Sequence, residues 1–281
     1  MTKIGLVLEG GAMRGIYTAG IVDTFLEKNI NIDAIIGVSA GALFGVNYVS
    51  KQKGRVLRYN KKYANDKNYM GIHSLITTGN LVNTEFAYDK LPMKLDPFDE
   101  KEFKKSKTKF YATVTNVDTG KAEYIHITST YDQINAFRAS GSMPFVSQMV
   151  DYDGNKYLDG ALADSIPIKK MQEMGYDKII VVLTKPANYR KKKNPEFIAK
   201  MFYKKYPNLI NAINTRYQKY NETLDYIEEL EKDNKIFVFR PSKDLKISRV
   251  EKNVDKIQAQ YDLGVSDCKN NLSKLKKYLE K

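Results

Sequence analysis

Apolar residues along the chain gather in short runs separated by longer amphipathic stretches. Ile4-Gly5-Leu6-Val7-Leu8, Ile32-Asp33-Ala34-Ile35-Ile36 and Lys178-Ile179-Ile180-Val181-Val182-Leu183 are mostly continuous apolar runs. That is the pattern of strands buried on both faces of a parallel sheet. Ile16 to Lys28 reads as an amphipathic helix, Ala40 to Tyr48 as a helix rich in small residues, and Lys51 to Ala64 as a polar one. Lys109 to Thr115 predicts a strand, and Asp118-Thr119-Gly120-Lys121 a hairpin turn into the alternating segment Glu123 to Thr128. A second hairpin spans Met149 to Leu158 with Asp153-Gly154 at its turn. Ser165 to Met174 predicts a helix with Pro167 in its first turn and Gly175 as its stop. The succession predicts an α/β fold, a mostly parallel central sheet with helices on both faces. Residues 65–97, with Gly71, Gly79, Pro92 and Pro97, read as loop-rich, either a lid facing a site or an ordinary surface insertion.

Between the second apolar run and its following helix stands Gly37-Val38-Ser39-Ala40-Gly41. A G-x-S-x-G segment on a sharp strand-to-helix turn presents its serine hydroxyl above a sheet, and glycine on either side leaves room for the turn. Ser39 is therefore the candidate nucleophile, the alternative being a buried glycine-rich turn with an idle serine. A nucleophilic serine needs a base. The order Ser, Asp or Glu, His is closed to this chain, because no histidine follows His126. His126 lies in the alternating segment, where it reads as an outward side chain of a hairpin, and His73 has no helical or strand setting that would aim it at Ser39. The base should then be a carboxylate, and Asp159 in Leu158-Asp159-Gly160-Ala161 is the best placed, at the end of a hairpin strand with a flexible glycine after it. The plain reading of such an Asp-Gly pair is a turn or cap.

The loop after the first strand, Glu9-Gly10-Gly11-Ala12-Met13-Arg14-Gly15, offers backbone N–H groups and a fixed cation where an oxyanion would need them. Nucleotide binding is disfavoured at this loop. A dinucleotide fingerprint needs glycine at Ala12, and a P-loop needs Lys and Ser or Thr where Ile16 and Tyr17 stand.

Together, the glycine-rich loop with its arginine, the G-x-S-x-G segment and the later D-G-A resemble the patatin-like phospholipase family over residues 3 to 185. Ala139-Ser140-Gly141-Ser142-Met143-Pro144-Phe145 resembles a further block of that family. The resemblance implies a patatin-like three-layer sandwich and a Ser-Asp dyad without histidine: Ser39 as nucleophile, Asp159 as base, and Gly10, Gly11, Ala12 and Arg14 as the oxyanion loop. It implies a lipid or ester substrate, acted on by a phospholipase A or lysophospholipase type of esterase, with no cofactor and no metal. The segment including Tyr261-Asp262-Leu263-Gly264 resembles the C-terminal extension of a small stand-alone bacterial branch. The rival from another class is a non-catalytic, basic lipid-binding or peripheral membrane protein on the same fold.

Composition adds limits. At 281 residues the chain suits one large α/β catalytic unit, 1–185, carrying an extension, 186–281, that is mainly helical with one strand at Lys235 to Phe239 packed on the same domain. That extension holds 22 lysines and arginines against 13 acids, about +9 of the total +13. Arg190-Lys191-Lys192-Lys193, with Phe197, Phe202, Tyr203 and Tyr206 beyond, suits anionic lipid headgroups or nucleic acid, or is a solvated lysine-rich face. No recognisable nucleic-acid-binding fold accompanies the charge, so no nucleic acid is expected as a partner. A single cysteine, Cys268, fits a reducing compartment, and no metal-ligand spacing is present. The first strand begins almost at once, leaving no room for a signal peptide, and the longest low-polarity stretch, Ala34 to Val46, is short of the roughly 20 residues of a membrane span. The expectation is a cytoplasmic protein with peripheral contact at the inner face of the membrane.

Overall fold

Alternate residues of the first apolar run point to opposite cores, which is why the run must be buried on both sides. The computed structural model describes residues 2–193 and 195–280. Eight strands, β1 (Ile4–Leu8), β2 (Ala34–Val38), β3 (Lys109–Asn116), β4 (Ala122–Ile127), β5 (Val150–Tyr152), β6 (Asn155–Asp159), β7 (Lys178–Val182) and β8 (Phe237–Phe239), form one sheet. The run β3-β2-β1-β7-β8 is parallel, while β4 and β6 are antiparallel to β3 and β5 is antiparallel to β6.

The helices are α1 (Ile16–Glu27), α2 (Ala40–Val49), α3 (Arg55–Tyr63), α4 (Ile72–Thr78), α5 (Glu100–Lys105), α6 (Ile134–Ser140), α7 (Ile168–Glu173), α8 (Glu196–Tyr203), α9 (Pro207–Lys232) and α10 (Val254–Glu280). On one face of the sheet, Leu6, Leu8 and Ile35 pack with Ile21 and Phe25 of α1 and Cys268 and Leu275 of α10. On the other, Val7, Ile36 and Val181 pack with Ile168 and Met171 of α7 and Leu224 and Ile227 of α9. Helix, sheet and helix make the three layers that the apolar runs predict.

Register decides where the site lies. Phe110 to Thr113 of β3 pair with β2 on one edge and β4 on the other. From Val114 onward β2 has ended, and β6 takes its place on that edge, with Val114 opposite Asp159. The C-terminal ends of β2 and β6 therefore meet head to head.

Residues beyond 185 are integral to both outer layers. β8 adds to the sheet beside β7, Ile180 opposite Phe237. α10 crosses α1 at a paired glycine contact: a Cβ on Gly20 would stand 2.3 Å from the Tyr261 carbonyl oxygen, and one on Gly264 2.2 Å from that of Tyr17. Small residues at both positions let the backbones touch, which accounts for Gly264 in the tail motif. Tyr261 Oη donates to Asp23 Oδ2 at 2.8 Å, and Gln260 Nε2 donates to the Arg14 carbonyl at 3.2 Å.

One expectation is corrected. Residues 65–97 are not loop-rich coil: they contain α4 and a π-helical segment, Phe86–Leu95. Gly71 and Gly79 cap the two ends of α4 and do not break it, Gly79 with φ of 72°. Pro92 is held inside the π-helical segment, whose widened ladder tolerates a residue without an N–H. Phe86 and Leu91 are buried against Met70, Tyr59 and Phe44, so the segment is anchored by its own apolar residues.

Candidate active site

Ser39 stands between the last residue of β2 and the first of α2, with φ 54° and ψ −124°. A non-glycine residue there is strained, at a cost of about 1–3 kcal/mol, so the neighbours must hold it. Ser140 Oγ accepts the Ser39 N–H at 2.9 Å, and the Ser39 carbonyl accepts from Ala42 and Leu43. Gly41 admits the turn, because a Cβ there would lie 2.3 Å from the Leu8 carbonyl oxygen. Gly37 is the last glycine of β2, opposite Leu8 and Ala112.

Asp159 is reached from the opposing strand. Its N–H donates to the Ser142 carbonyl at 2.8 Å, its carbonyl accepts from Thr115 Oγ1 at 2.9 Å, and its Oδ1 accepts the Ala161 N–H at 2.9 Å. Gly160 lets the chain pass the Thr113 carbonyl, which a Cβ would approach to 2.3 Å. Burial pushes the Asp159 carboxyl up from its ordinary value, while hydrogen bonding from the Ser39 side chain, the charge of Arg216, the Ala161 N–H and Lys191 pull it down. A carboxylate taken out of water in this way is a stronger base than a free one. The Asp159 capping bond is the turn role that an Asp-Gly pair suggests; it occupies Oδ1 alone.

The glycine-rich loop lies across the same opening. Gly10 and Gly11 lead from β1 into a tight 3-10 turn, Ala12–Gly15, with Ala12 at φ 49°. The N–H groups of Ala12 and Met13, first in that turn, have no acceptor within it. Arg14 donates its backbone N–H to the Gly11 carbonyl at 3.1 Å, and its Nε is buried without a hydrogen-bond partner among the described residues. Ser39, Asp159, Gly10, Gly11, Ala12 and Arg14 thus line one polar cavity. Both histidines stand outside it and are exposed. His126 stacks on Tyr111 at 4.9 Å as a strand residue, and His73 sits on α4, a helical setting that the sequence reading did not give it.

Comparison with known proteins identifies the family. The family model for patatin-like phospholipases matches residues 6–171, more than half of the chain. The chain belongs to the patatin-like phospholipase family. A second model, a domain of unknown function (DUF6363), matches residues 206–280. The chain is 25% identical over 272 residues to the uncharacterized protein YjjU of Escherichia coli strain K12, covering 93% of this chain and 75% of that protein. It is 28% identical over 185 residues to the lysophospholipase nte1 of Aspergillus niger, covering 64% of this chain, and 27% identical over 253 residues to the lysophospholipase NTE1 of Scheffersomyces stipitis, covering 85%. The chain spans 12% and 16% of the length of those two lysophospholipases. Among solved structures, VipD from Legionella pneumophila overlaps with a TM-score of 0.39 at 13% identity, covering 93% of this chain and 67% of that one. Family and relatives support a lipid-hydrolase function.

In this family member a second cavity opens at the serine. It is walled by Leu43, Phe44, Tyr59, Met70, Leu91 and Phe137 among others, and Ser39 and Ala12 also line it. Residues 65–97 supply much of that wall through Tyr69, Leu81, Val82, Ala87 and Tyr88. The sequence reading missed four groups here. Ser140, inside a quoted block, fixes the elbow. Glu9 is buried, with Oε2 accepting from the Thr184 N–H at 2.5 Å and Oε1 from Tyr220 Oη at 2.6 Å, so it ties the glycine-rich loop to α9 and to the segment after β7. Lys191 and Arg216 reach the polar cavity from far along the chain. Ser140, Glu9 and Lys191 lay in quoted segments without a role assigned to them, and Arg216 had no local signal; the roles of Glu9, Lys191 and Arg216 depend on how the tail packs. Among the described residues, no cluster of histidine, cysteine or carboxylates could hold a metal ion, and no helix is long and apolar enough to cross a membrane.

Proposed function

We propose that the protein is a serine lipid acyl hydrolase of the phospholipase A or lysophospholipase type, working through a Ser39–Asp159 dyad and the glycine-rich oxyanion loop. The observation that carries this reading is the position of Ser39, at the junction of an apolar cavity and a polar one, beside a buried carboxylate. An acyl chain in the apolar cavity brings its ester carbonyl to Ser39. Asp159 takes the Ser39 Oγ proton as the oxygen attacks, and the glycine-rich loop, with the Ala12 N–H, receives the developing oxyanion. The tetrahedral intermediate collapses, and Asp159 returns the proton to the leaving alcohol. Water then attacks the acyl-enzyme with Asp159 again as base, releasing a fatty acid and freeing Ser39.

Membrane contact belongs to the same reading. α8 presents Phe197 and Met201, 67% and 68% exposed, and Phe202 beside them, next to Lys192, Lys193, Lys200, Lys204 and Lys205. Apolar side chains ringed by lysines suit the surface of an anionic bilayer. Pro195, Ile198 and Ala199 of the same stretch line the polar cavity, so a lipid at that surface would stand near the site. The test is release of fatty acid from a long-chain lysophospholipid by wild type and by Ser39→Ala. Turnover by wild type that vanishes in the variant is expected; equal rates in both would overturn the proposal.

A further inference from the structure

The polar cavity holds more positive charge than an oxyanion site needs. Arg14, Lys185, Lys191, Arg216 and Arg249 all line it, against only two carboxylates, Glu9 and Asp159. Both carboxylates have other partners: Glu9 is held by Thr184 and Tyr220, and Asp159 accepts the Ala161 N–H. Among the described residues none of the five cations forms an ion pair. Arg14 Nε is buried and unpartnered, and Arg216 makes one long hydrogen bond, Nε to Ser165 Oγ at 3.4 Å.

The arrangement is held in place. Asn221 of α9 clamps the Lys191 backbone from both sides, accepting its N–H at 2.8 Å and donating to its carbonyl at 3.0 Å. Lys185 Nζ sits over the Tyr189 ring and Lys191 Nζ over the Tyr220 ring, each 4.7 Å from the centroid. Burial lowers the pKa of Arg14, Lys185 and Arg216, and burial together with repulsion from Arg216, Arg249 and Arg14 brings Lys191 down to about 7. Unpaired cations gathered in one partly buried cavity are stabilised by an arriving anion.

We infer that this cavity is a phosphate subsite, in which Arg14, Lys185, Lys191, Arg216 and Arg249 receive the phosphate ester of a lipid headgroup that carries net negative charge. The inference rests on the proposed acyl-hydrolase reading and names its substrate class. The apolar and polar cavities share Ala12, Ser39, Met143 and Arg249, so a lipid with its ester at Ser39 lays its chain in one and its phosphate in the other. A phosphocholine headgroup fits poorly. Its ammonium would face five cations, no carboxylate is unengaged, and lysines already cover a face of both tyrosines. Four of the five cations lie at or beyond Lys185, outside the residues matched by the phospholipase model, so this selectivity belongs to the C-terminal part of the chain.

The test uses Ser39→Ala protein, so that binding is read without turnover. Calorimetric titrations with lysophosphatidylglycerol, lysophosphatidylcholine of the same chain length and sn-glycerol 3-phosphate are compared, each lipid below its micelle concentration. Lysophosphatidylglycerol should bind about tenfold or more tightly than lysophosphatidylcholine, as expected for charge-assisted hydrogen bonds. Adding Lys191→Met or Arg249→Gln should collapse that ratio toward one; Arg249 is exposed, so its substitution does not threaten the fold. Equal affinity for the two lipids, or a ratio insensitive to both substitutions, would overturn the subsite. Glycerol phosphate binding as tightly as lysophosphatidylglycerol would overturn the lipid source and leave a site for soluble phosphate esters. Because no turnover is read, loss of the hydrolase reading would not produce any of these results.

Discussion

Alanine is the best helix former, so replacing a mid-helix glycine by alanine ordinarily stabilises by about 1 kcal/mol. Gly264→Ala should do the opposite. Its Cβ would stand 2.2 Å from the Tyr17 carbonyl oxygen, a backbone atom inside α1 that has no rotamer to escape by. Ordinary contact needs about 3.5 Å, so α10 must move away from α1 by more than about 1 Å. That movement loosens Ile21 and Phe25 against Cys268 and Leu275, and overpacking of this kind costs about 1–3 kcal/mol, here toward the upper end. Subtracting the helix-propensity gain leaves a net loss of about 2 kcal/mol. Gly20→Ala meets the Tyr261 carbonyl at 2.3 Å across the same crossing, and one displacement relieves both clashes. The double variant should therefore lose less than the sum of the two, by about 1 kcal/mol. Urea unfolding of the four proteins reads both quantities. A Gly264→Ala variant as stable as wild type, or more stable, would refute the argument, and so would full additivity.

Asp159→Asn should lower kcat/KM about a hundredfold to ten-thousandfold, the usual worth of a general base. Because burial raises the Asp159 carboxyl, the folded state holds that proton more tightly than the unfolded chain, and stability falls as pH rises through the raised pKa. At neutral pH Asp159→Asn should thus unfold at the same or a higher urea concentration than wild type; marked destabilisation would show that the charge is needed for the fold. In wild type kcat/KM should fall on acidification at a pH above the ordinary aspartate value of about 3.9, and a profile flat to pH 4 would exclude Asp159 as the base. Phe197→Ser with Met201→Ser should weaken flotation on vesicles containing anionic lipid about tenfold, with little effect on a soluble ester. Unaltered flotation would remove α8 from the membrane contact.

The layered fold was legible because Leu6, Val7 and Leu8 are all apolar, a condition met by strands covered on both faces. The turns were legible too, since Asp153 and Gly154 both take positive φ, 47° and 76°, as a two-residue hairpin requires. Residues 65–97 misled the reading, because glycine capping a helix looks the same in sequence as glycine in a loop. Ser39 and Asp159 carried local signals in the residues around them. What joins them is the handover of one edge of β3 from β2 to β6 at Val114, and spacing alone does not specify a register. Among the cations of the polar cavity, Arg14 was legible in the glycine-rich loop and Lys191 in the basic run from Arg190 to Lys193, but nothing local placed Lys185, Arg216 or Arg249 at the site. Lys191 and Arg216 read as members of a basic tail, and only the packing of α9 against the sheet turns them toward Ser39.

The central claim is an activated serine at the end of β2, with Asp159 as its base. Intact-mass labelling with a fluorophosphonate, run on wild type, Ser39→Ala and Asp159→Asn, tests it most directly. One adduct on wild type, none on Ser39→Ala and much slower labelling of Asp159→Asn are the predicted results. An adduct that persists in Ser39→Ala, or well-folded wild type that takes no label, would contradict the account.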